Sequence, residues 1–152
     1  MNCMIPGVPM VTRETAADAF RIVLVEDNDA DAYLIREALL QCGMEFELFH
    51  LNNGDDALHY LCQGSEPAPS LVLLDLHLPG TGGPEILRAI QAETRLSAVP
   101  VIIISGASAD WLKGVDLGRS NALVHKSMDV DDYLSAIGKA VLASCPPTNR
   151  AR

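Results

Sequence analysis

Short apolar runs and segments with helical spacing alternate along most of the chain. Five runs rich in Val, Ile and Leu predict strands, at Arg21–Glu26, Phe46–Leu51, Leu71–Asp75, Val101–Ser105 and Ala122–His125. After each run, apolar residues recur every three to four positions, which predicts helices, at Ala30–Gln41, Asp55–Gln63 (closed by Gly64), Pro84–Glu93, Ala109–Leu117 and Asp129–Leu142. The third strand is apolar throughout, which is typical of a strand covered on both faces.

Five strand–helix units in succession predict a parallel sheet with helices on both faces, an α/β fold. The length fits a doubly wound, five-stranded, flavodoxin-like sheet with strand order 2-1-3-4-5. We expect the folded domain to occupy residues 21–143, between a flexible N-terminal arm at 1–20 and a flexible tail at 144–152. In such a sheet a ligand binds at the carboxyl ends of strands 1 and 3, where the strand order reverses.

Composition narrows the choice of partners. The 152 residues include 20 acidic and 11 basic side chains, a net charge of -9, which argues against binding to nucleic acid or to anionic membranes. No apolar run is long enough to span a membrane, and the first residues do not have the pattern of a signal peptide. The four cysteines are scattered, as expected for free thiols in a reducing cytoplasm; they are Cys3, Cys42, Cys62 and Cys145.

Five polar residues follow the predicted strands at the edge where a ligand is expected. Glu26 and Asp27 follow the first strand, Asp75 ends the third, Ser105 ends the fourth, and Lys126 follows the fifth. Any one of them alone would be an ordinary cap or solvated residue. Three carboxylates repel one another unless a hard cation such as Mg²⁺ lies among them. A hydroxyl and an ammonium suit a phosphoryl group, and a carboxylate can accept that group as a nucleophile.

Four segments at these strand ends resemble the receiver domain of two-component response regulators. They are IVLVEDNDADAYLIREALL, LVLLDLHLPGTGG, VPVIIISG and LVHK, and the similarity extends from Arg21 to about Ala143. The first segment is most similar to stand-alone receivers associated with phytochrome-type sensor kinases. The resemblance implies a single-domain response regulator that takes a phosphoryl group from a sensor histidine kinase or a phosphotransfer protein.

The resemblance also implies how the metal and the phosphoryl group are held. Asp75 would be the phosphoacceptor and Asp27 a direct Mg²⁺ ligand. Glu26 would hold the metal through water, and His77 would contribute its main-chain carbonyl. The side chain of His77 is expected to face the mouth of the site, where it affects the access of hydrolytic water.

The switch residues follow the family only in part. Ser105 resembles the hydroxyl that turns toward the phosphoryl group, and Lys126 the lysine that pairs with it. Receivers commonly have proline after this lysine, whereas this chain has Ser127, so we expect a trans peptide bond there. They also have an aromatic residue where this chain has Leu123. The usual transmission of the signal is therefore in doubt, whereas the residues of the phosphorylation chemistry are intact.

Three classes of function remain open from the sequence. The first is the switching receiver, which catalyses only its own phosphorylation and dephosphorylation. It would signal through protein contacts, with a homodimer through the fifth strand and the apolar Leu134, Ile137 and Val141 of the last helix as one form. The second is a degenerate receiver that binds partners without switching.

An enzyme on the same fold is the third class. A flavodoxin would need a phosphate cradle after the first strand, where the acidic sequence EDND would repel the phosphate of FMN. A haloacid-type phosphatase would need a second acid two residues after Asp75, where this chain has His77. Both enzymes are therefore disfavoured.

Overall fold

One parallel five-stranded sheet forms the centre of the protein. The computed structural model describes residues 20–63, 67–118, 120 and 122–145. Its strands are β1 (Arg21–Val25), β2 (Glu47–Leu51), β3 (Leu71–Asp75), β4 (Val101–Ser105) and β5 (Ala122–His125). They pair in the order β2-β1-β3-β4-β5, and every neighbouring pair is parallel. The predicted fold class and strand order are confirmed.

Five α-helices connect or follow the strands. They are α1 (Asp29–Gln41), α2 (Gly54–Leu58), α3 (Gly83–Ala92), α4 (Ala109–Lys113) and α5 (Val130–Ser144). Four begin at a polar residue whose side chain accepts a hydrogen bond from a main-chain amide of the first turn, and these caps are Asn28, Asn53, Ser108 and Asp129. Such caps satisfy amides that have no partner within the helix, which explains why the predicted starts lie close to the observed ones.

Three helices differ from the prediction. The segment predicted as one helix from Asp55 to Gln63 begins as α2 and continues as a π-helical turn at His59–Gln63; Gly64 lies outside the described residues. α4 stops at Lys113 rather than Leu117, because Gly114 follows and glycine ends helices readily. α5 runs two residues further than predicted, and a 3₁₀ turn at Thr94–Leu96 was not predicted.

Alternate residues of the central strands fill two apolar layers, one on each face of the sheet. Ile22 and Leu24 of β1 face α1 and α5, whereas Val23 and Val25 face α2 and α3. Phe20 and Cys145 are buried in the layer under α1 and α5. The core thus includes residues on both sides of the predicted limits; residues 1–19 of the predicted arm and 146–152 of the predicted tail lie outside the described residues. Cys42 and Cys62 are free thiols as predicted, whereas Cys3 lies outside the described part.

The apolar side of α5 faces the core, which contradicts the expected basis for a dimer surface. Ile137 and Val141 are fully buried, and Leu134 packs against the same core layer. The exposed apolar side chains near this helix are instead Leu123, Met128 and Val130. No helix among the described residues is long and apolar enough to cross a membrane.

The loop after β3 is held against the start of α2, close to the carboxyl edge of the sheet. The Asp55 carboxylate accepts hydrogen bonds from the hydroxyl and the amide of Thr81, and the Gly54 amide donates to the Pro79 carbonyl. A Cβ atom on Gly54 would lie 1.7 Å from the Thr81 carbonyl oxygen, so only glycine permits this approach. Gly80 in the same loop has φ +74°, a conformation that glycine adopts without strain.

Candidate functional site

The three predicted carboxylates meet at the carboxyl edge of the sheet. Glu26, Asp27 and Asp75 each place a carboxylate oxygen within 4.8 Å of the other two. Glu26 and Asp75 are buried, whereas Asp27 is exposed. They meet because β1 and β3 are neighbours in register, with Val25 opposite Leu74. The cluster is therefore buried at Glu26 and Asp75 and open to solvent at Asp27.

Lys126 reaches this cluster from the end of β5. Its Nζ atom lies 3.0 Å from Glu26 Oε1 and 3.2 Å from Asp75 Oδ2. A third carboxylate, Asp31 Oδ2 of α1, lies 2.9 Å away. The Lys126 amide donates to the Ser105 carbonyl at 2.8 Å, which fixes the start of the lysine side chain beside β4. The ammonium thus lies among three acids from three elements of the fold.

The charges in this cluster change the proton affinity of its members. Burial, together with the hydrogen bond and the charge of Asp75, raises the pKa of Glu26 to about 8, although Lys126 opposes the shift. Burial lowers the pKa of Lys126, but the hydrogen bond to Asp31 and the charges of Glu26 and Asp75 outweigh it, so the net shift is upward. The lysine therefore stays charged, whereas Glu26 holds its proton to a higher pH than an ordinary glutamate.

Main-chain amides orient the two buried carboxylates. The Asn28 amide donates to Glu26 Oε2 at 3.2 Å, and the His77 amide donates to Asp75 Oδ1 at 3.1 Å. His50 Nε2 lies 2.7 Å from the Glu26 carbonyl oxygen. Asp75 is thus held at one oxygen by an amide and at the other by Lys126.

Ser105 is buried at the end of β4, beside the cluster. Its hydroxyl oxygen accepts a hydrogen bond from the Ala107 amide at 3.0 Å. The residue opposite Asp75 across the β3–β4 pair is Ile104, so Ser105 lies one position beyond the phosphoacceptor candidate. The hydroxyl is at the predicted edge and is bound to its own loop in this structure.

An aromatic pair lies next to the cluster. The rings of His77 and Trp111 have centroids 4.6 Å apart, and Trp111 of α4 is 41% exposed. The sequence did not indicate a role for Trp111, because it lies in a short helix with no distinctive pattern. His77 is two residues from Asp75, so the chain's single tryptophan is positioned to report on this site.

Two further residues near Lys126 were missed by the sequence analysis. Asp31 contacts the lysine directly, but an acid in the first turn of α1 is a common feature of helix starts and did not mark it as part of the site. Tyr133 of α5 is 2% exposed, and its hydroxyl has no hydrogen-bond partner among the described residues. Burial raises the pKa of Tyr133, while the nearby charge of Lys126 lowers it. No pattern in α5 distinguishes this tyrosine from a core residue.

Leu123 and Ser127 are the two residues that depart from the receiver pattern, and both are among the described residues. Leu123 is 45% exposed on β5, so it does not fill a pocket next to the cluster. The described residues contain no cis peptide bond, which confirms the expected trans link between Lys126 and Ser127. The Ser127 hydroxyl accepts a hydrogen bond from the Asp129 amide at 3.1 Å.

A divalent cation fits the carboxylate cluster. Glu26, Asp27 and Asp75 offer only oxygen ligands, which Mg²⁺ and similar hard cations prefer. Burial, with a smaller contribution from Asp75, raises the pKa of Glu26, and a cation bound to the ionised carboxylate would oppose both effects. The exposed side at Asp27 leaves room for water ligands or for a second group.

Comparisons with known proteins agree with this geometry. The sequence model of the family described as "Response regulator receiver domain" matches residues 22–138. The "Probable methanogenesis regulatory protein FilR2" of Methanothrix harundinacea is 41% identical, with 77% of this chain and 78% of that protein covered. "Response regulator Rcp1" of Synechocystis sp. is 39% identical, with 76% and 82% covered.

Solved structures show the same fold. The manganese-bound form of Rcp1 is similar with a TM-score of 0.71 and 31% identity, covering 78% of this chain and 89% of that one. The phosphorylated form of the cyanobacterial phytochrome response regulator RcpA has a TM-score of 0.73 and 31% identity, with 84% and 97% covered.

Proposed function

This chain belongs to the response regulator receiver domain family, and we propose that it accepts a phosphoryl group on Asp75 and signals through contacts with other proteins. The donor would be a sensor histidine kinase or a phosphotransfer protein in the cytoplasm. The similarity to RcpA, a phytochrome response regulator by its description, supports a phytochrome-type kinase as the source. The observation that carries the proposal is the convergence of Glu26, Asp27, Asp75 and Lys126.

The reaction would be the formation of an acyl phosphate. An oxygen of the Asp75 carboxylate attacks the phosphorus atom of a phosphohistidine. The P–N bond breaks, its electron pair returns to the imidazole nitrogen of the donor, and that nitrogen takes up a proton. The His77 amide and Lys126 hold the carboxylate in place, and the ammonium balances the charge on the phosphoryl oxygens.

Glu26, Asp27 and Asp75, with the main-chain carbonyl of His77, would hold Mg²⁺. When bound, the cation would neutralise the charge of the carboxylates and of the incoming phosphoryl group. Ser105 would leave the Ala107 amide and turn its hydroxyl toward a phosphoryl oxygen. This exchange of one hydrogen bond for another is small enough to occur within the loop after β4.

Phosphorylation by acetyl phosphate tests the proposal directly. On a phosphate-affinity gel, the wild-type protein should show a slower band that needs Mg²⁺ and disappears with EDTA. Asp75→Asn should abolish the band because an amide is a poor nucleophile, and Asp27→Ala should abolish it through loss of metal. Asp110→Asn, at an exposed acid of α4, is the matched control and should behave as wild type.

Two results would contradict this assignment. A band in Asp75→Asn would place the phosphoryl group elsewhere. No band in the wild-type protein with either acetyl phosphate or a phosphorylated donor would favour the alternative of a receiver that binds partners without switching.

The output would use the exposed apolar residues near β5. Leu123, Met128 and Val130 are all exposed and lie on β5, in the following loop and at the start of α5. We propose that this patch contacts a second copy of the chain or a downstream protein. The sequence predicted that the apolar face of α5 would form this contact, but that face packs against the core.

A further inference from the structure

The shortest of the three ion pairs made by Lys126 involves an acid outside the carboxylate cluster. Lys126 Nζ lies 2.9 Å from Asp31 Oδ2, compared with 3.0 Å from Glu26 and 3.2 Å from Asp75. Both side chains are partly buried, with 21% of Lys126 and 27% of Asp31 exposed. Asp31 is not one of the three carboxylates that could share a metal ion, so its contact with Lys126 involves no proposed metal ligand.

The position of Asp31 is set by the start of α1. Its amide donates to the Asn28 side chain at 3.0 Å, which is the cap of the helix. The cap fixes the first turn of α1 beside the end of β1, and from there the Asp31 carboxylate reaches Lys126. The contact therefore joins the first helix to the residue that follows the last strand, 95 positions along the chain.

We propose that Asp31 is a positioning residue that holds the Lys126 ammonium in the resting protein and competes with the phosphoryl group for it. This inference rests on the proposed function. The contact would therefore weaken the binding of a phosphoryl group, and the position of α1 would determine how strongly.

The competition is for the position and the charge of a single ammonium. A lysine ammonium has three N–H donors, and three carboxylates surround the one on Lys126. A phosphoryl group on Asp75 adds oxygens that need the same positive charge. Of the three acids beside the lysine, Asp31 alone lies outside the carboxylate cluster, so it is the acid that still competes for the ammonium when a cation and a phosphoryl group are bound.

The affinity for beryllofluoride, a phosphoryl analogue, measures this competition. We would titrate it in saturating Mg²⁺ and follow the fluorescence of Trp111. Asp31→Asn should bind beryllofluoride about fivefold more tightly than wild type, in the range of coupling found for residues in contact. Removal of any nearby negative charge also favours an anion, so Asp29→Asn is the matched control. Asp29 lies in the same turn of α1 and is exposed.

Two further variants separate positioning from general electrostatics. Asp31→Glu keeps a carboxylate that can still reach the lysine, so its affinity should lie near that of wild type. In a Lys126→Met background, Asp31→Asn should change the affinity no more than Asp29→Asn does. The inference would be wrong if Asp31→Asn raised the affinity for beryllofluoride only as much as Asp29→Asn does. It would also be wrong if Asp31→Asn raised this affinity equally in the Lys126→Met background.

A second measurement in the resting protein does not depend on phosphoryl chemistry. In ¹H–¹⁵N spectra selective for lysine ammonium groups, the hydrogen-bonded Lys126 should give a slowly exchanging signal, assigned by its absence in Lys126→Met. Asp31→Asn should shift or broaden this signal, and Asp29→Asn should not. An unchanged signal in Asp31→Asn would refute the contact. Failure of wild type to bind beryllofluoride, with the signal behaving as expected, would instead count against the proposed function.

Discussion

The buried Glu26 should make the metal-free protein less stable as the pH rises through neutrality. Its pKa is raised from the ordinary value of 4.5 to about 8, chiefly by burial and then by Asp75. Between these two values the folded protein holds a proton that the unfolded chain has released. The free energy of unfolding therefore falls with increasing pH across this window.

The size of the effect follows from the two pKa values. A pKa difference of one unit corresponds to about 1.4 kcal/mol. The difference between the two pKa values of Glu26 therefore corresponds to a loss of about 5 kcal/mol in the free energy of unfolding, which is reached only above pH 8. Between pH 4.5 and pH 7 the expected loss is about 3 kcal/mol. This is a large share of the about 5–15 kcal/mol that stabilises a typical domain. Lys126 and Tyr133 have raised pKa values and titrate above this window.

Urea unfolding in EDTA, at several pH values between 5 and 8.5, would measure the effect. Glu26→Gln cannot ionise, so its stability should decline less with pH, and the difference between the two proteins is the contribution of Glu26. Asp29→Asn, an exposed acid nearby, should keep the wild-type slope. Added Mg²⁺ should restore stability to the wild-type protein most strongly near pH 8, because it binds the ionised carboxylate. Parallel pH profiles for wild type and Glu26→Gln would refute the reasoning.

Three other predictions concern packing and assembly. Tyr133→Phe should raise the free energy of urea unfolding by about 1 kcal/mol, because it removes a buried hydroxyl that has no partner among the described residues; a loss of stability would show that the hydroxyl is bound. Gly54→Ala should destabilise by about 1–3 kcal/mol through its clash with Thr81, whereas Gly82→Ala, with its nearest neighbour at 3.8 Å, should cost less; equal losses would contradict this. Met128→Glu should abolish any dimer that light scattering detects in beryllofluoride, and a dimer that persists would exclude the exposed Leu123, Met128 and Val130 as its interface.

The fold was predictable because its elements carry local signals. β3 and β4 are continuous apolar runs, as expected for central strands of a parallel sheet, and the caps of α1 and α5 mark their starts. The errors lie where local signals are weak or conflict. The π-helical turn after α2 has no sequence marker, and α4 is too short and too exposed for periodicity to define its end.

The carboxylate cluster could also be predicted, because topology alone brings the ends of β1 and β3 together. Glu26, Asp27 and Asp75 follow directly from the strand order, and Lys126 follows from the position of β5. Asp31 and Trp111 could not be derived in the same way, because each lies on a helix and its direction depends on packing. Their contacts with Lys126 and His77 appear only when α1 and α4 are placed on the sheet.

The exposure of Leu123 changes how the switch is understood. An aromatic residue at this position would have to move between solvent and a pocket, whereas Leu123 lies 45% exposed on β5 in the resting protein. The groups next to Asp75, the proposed phosphoacceptor, that can respond are Ser105, bound to its own loop, and Lys126, bound to α1. A phosphoryl group that draws both toward Asp75 would loosen the Asp31 contact and reorganise the loop after β4. The signal would then leave the site through α1 and α4, on either side of the cluster, rather than through a ring in β5.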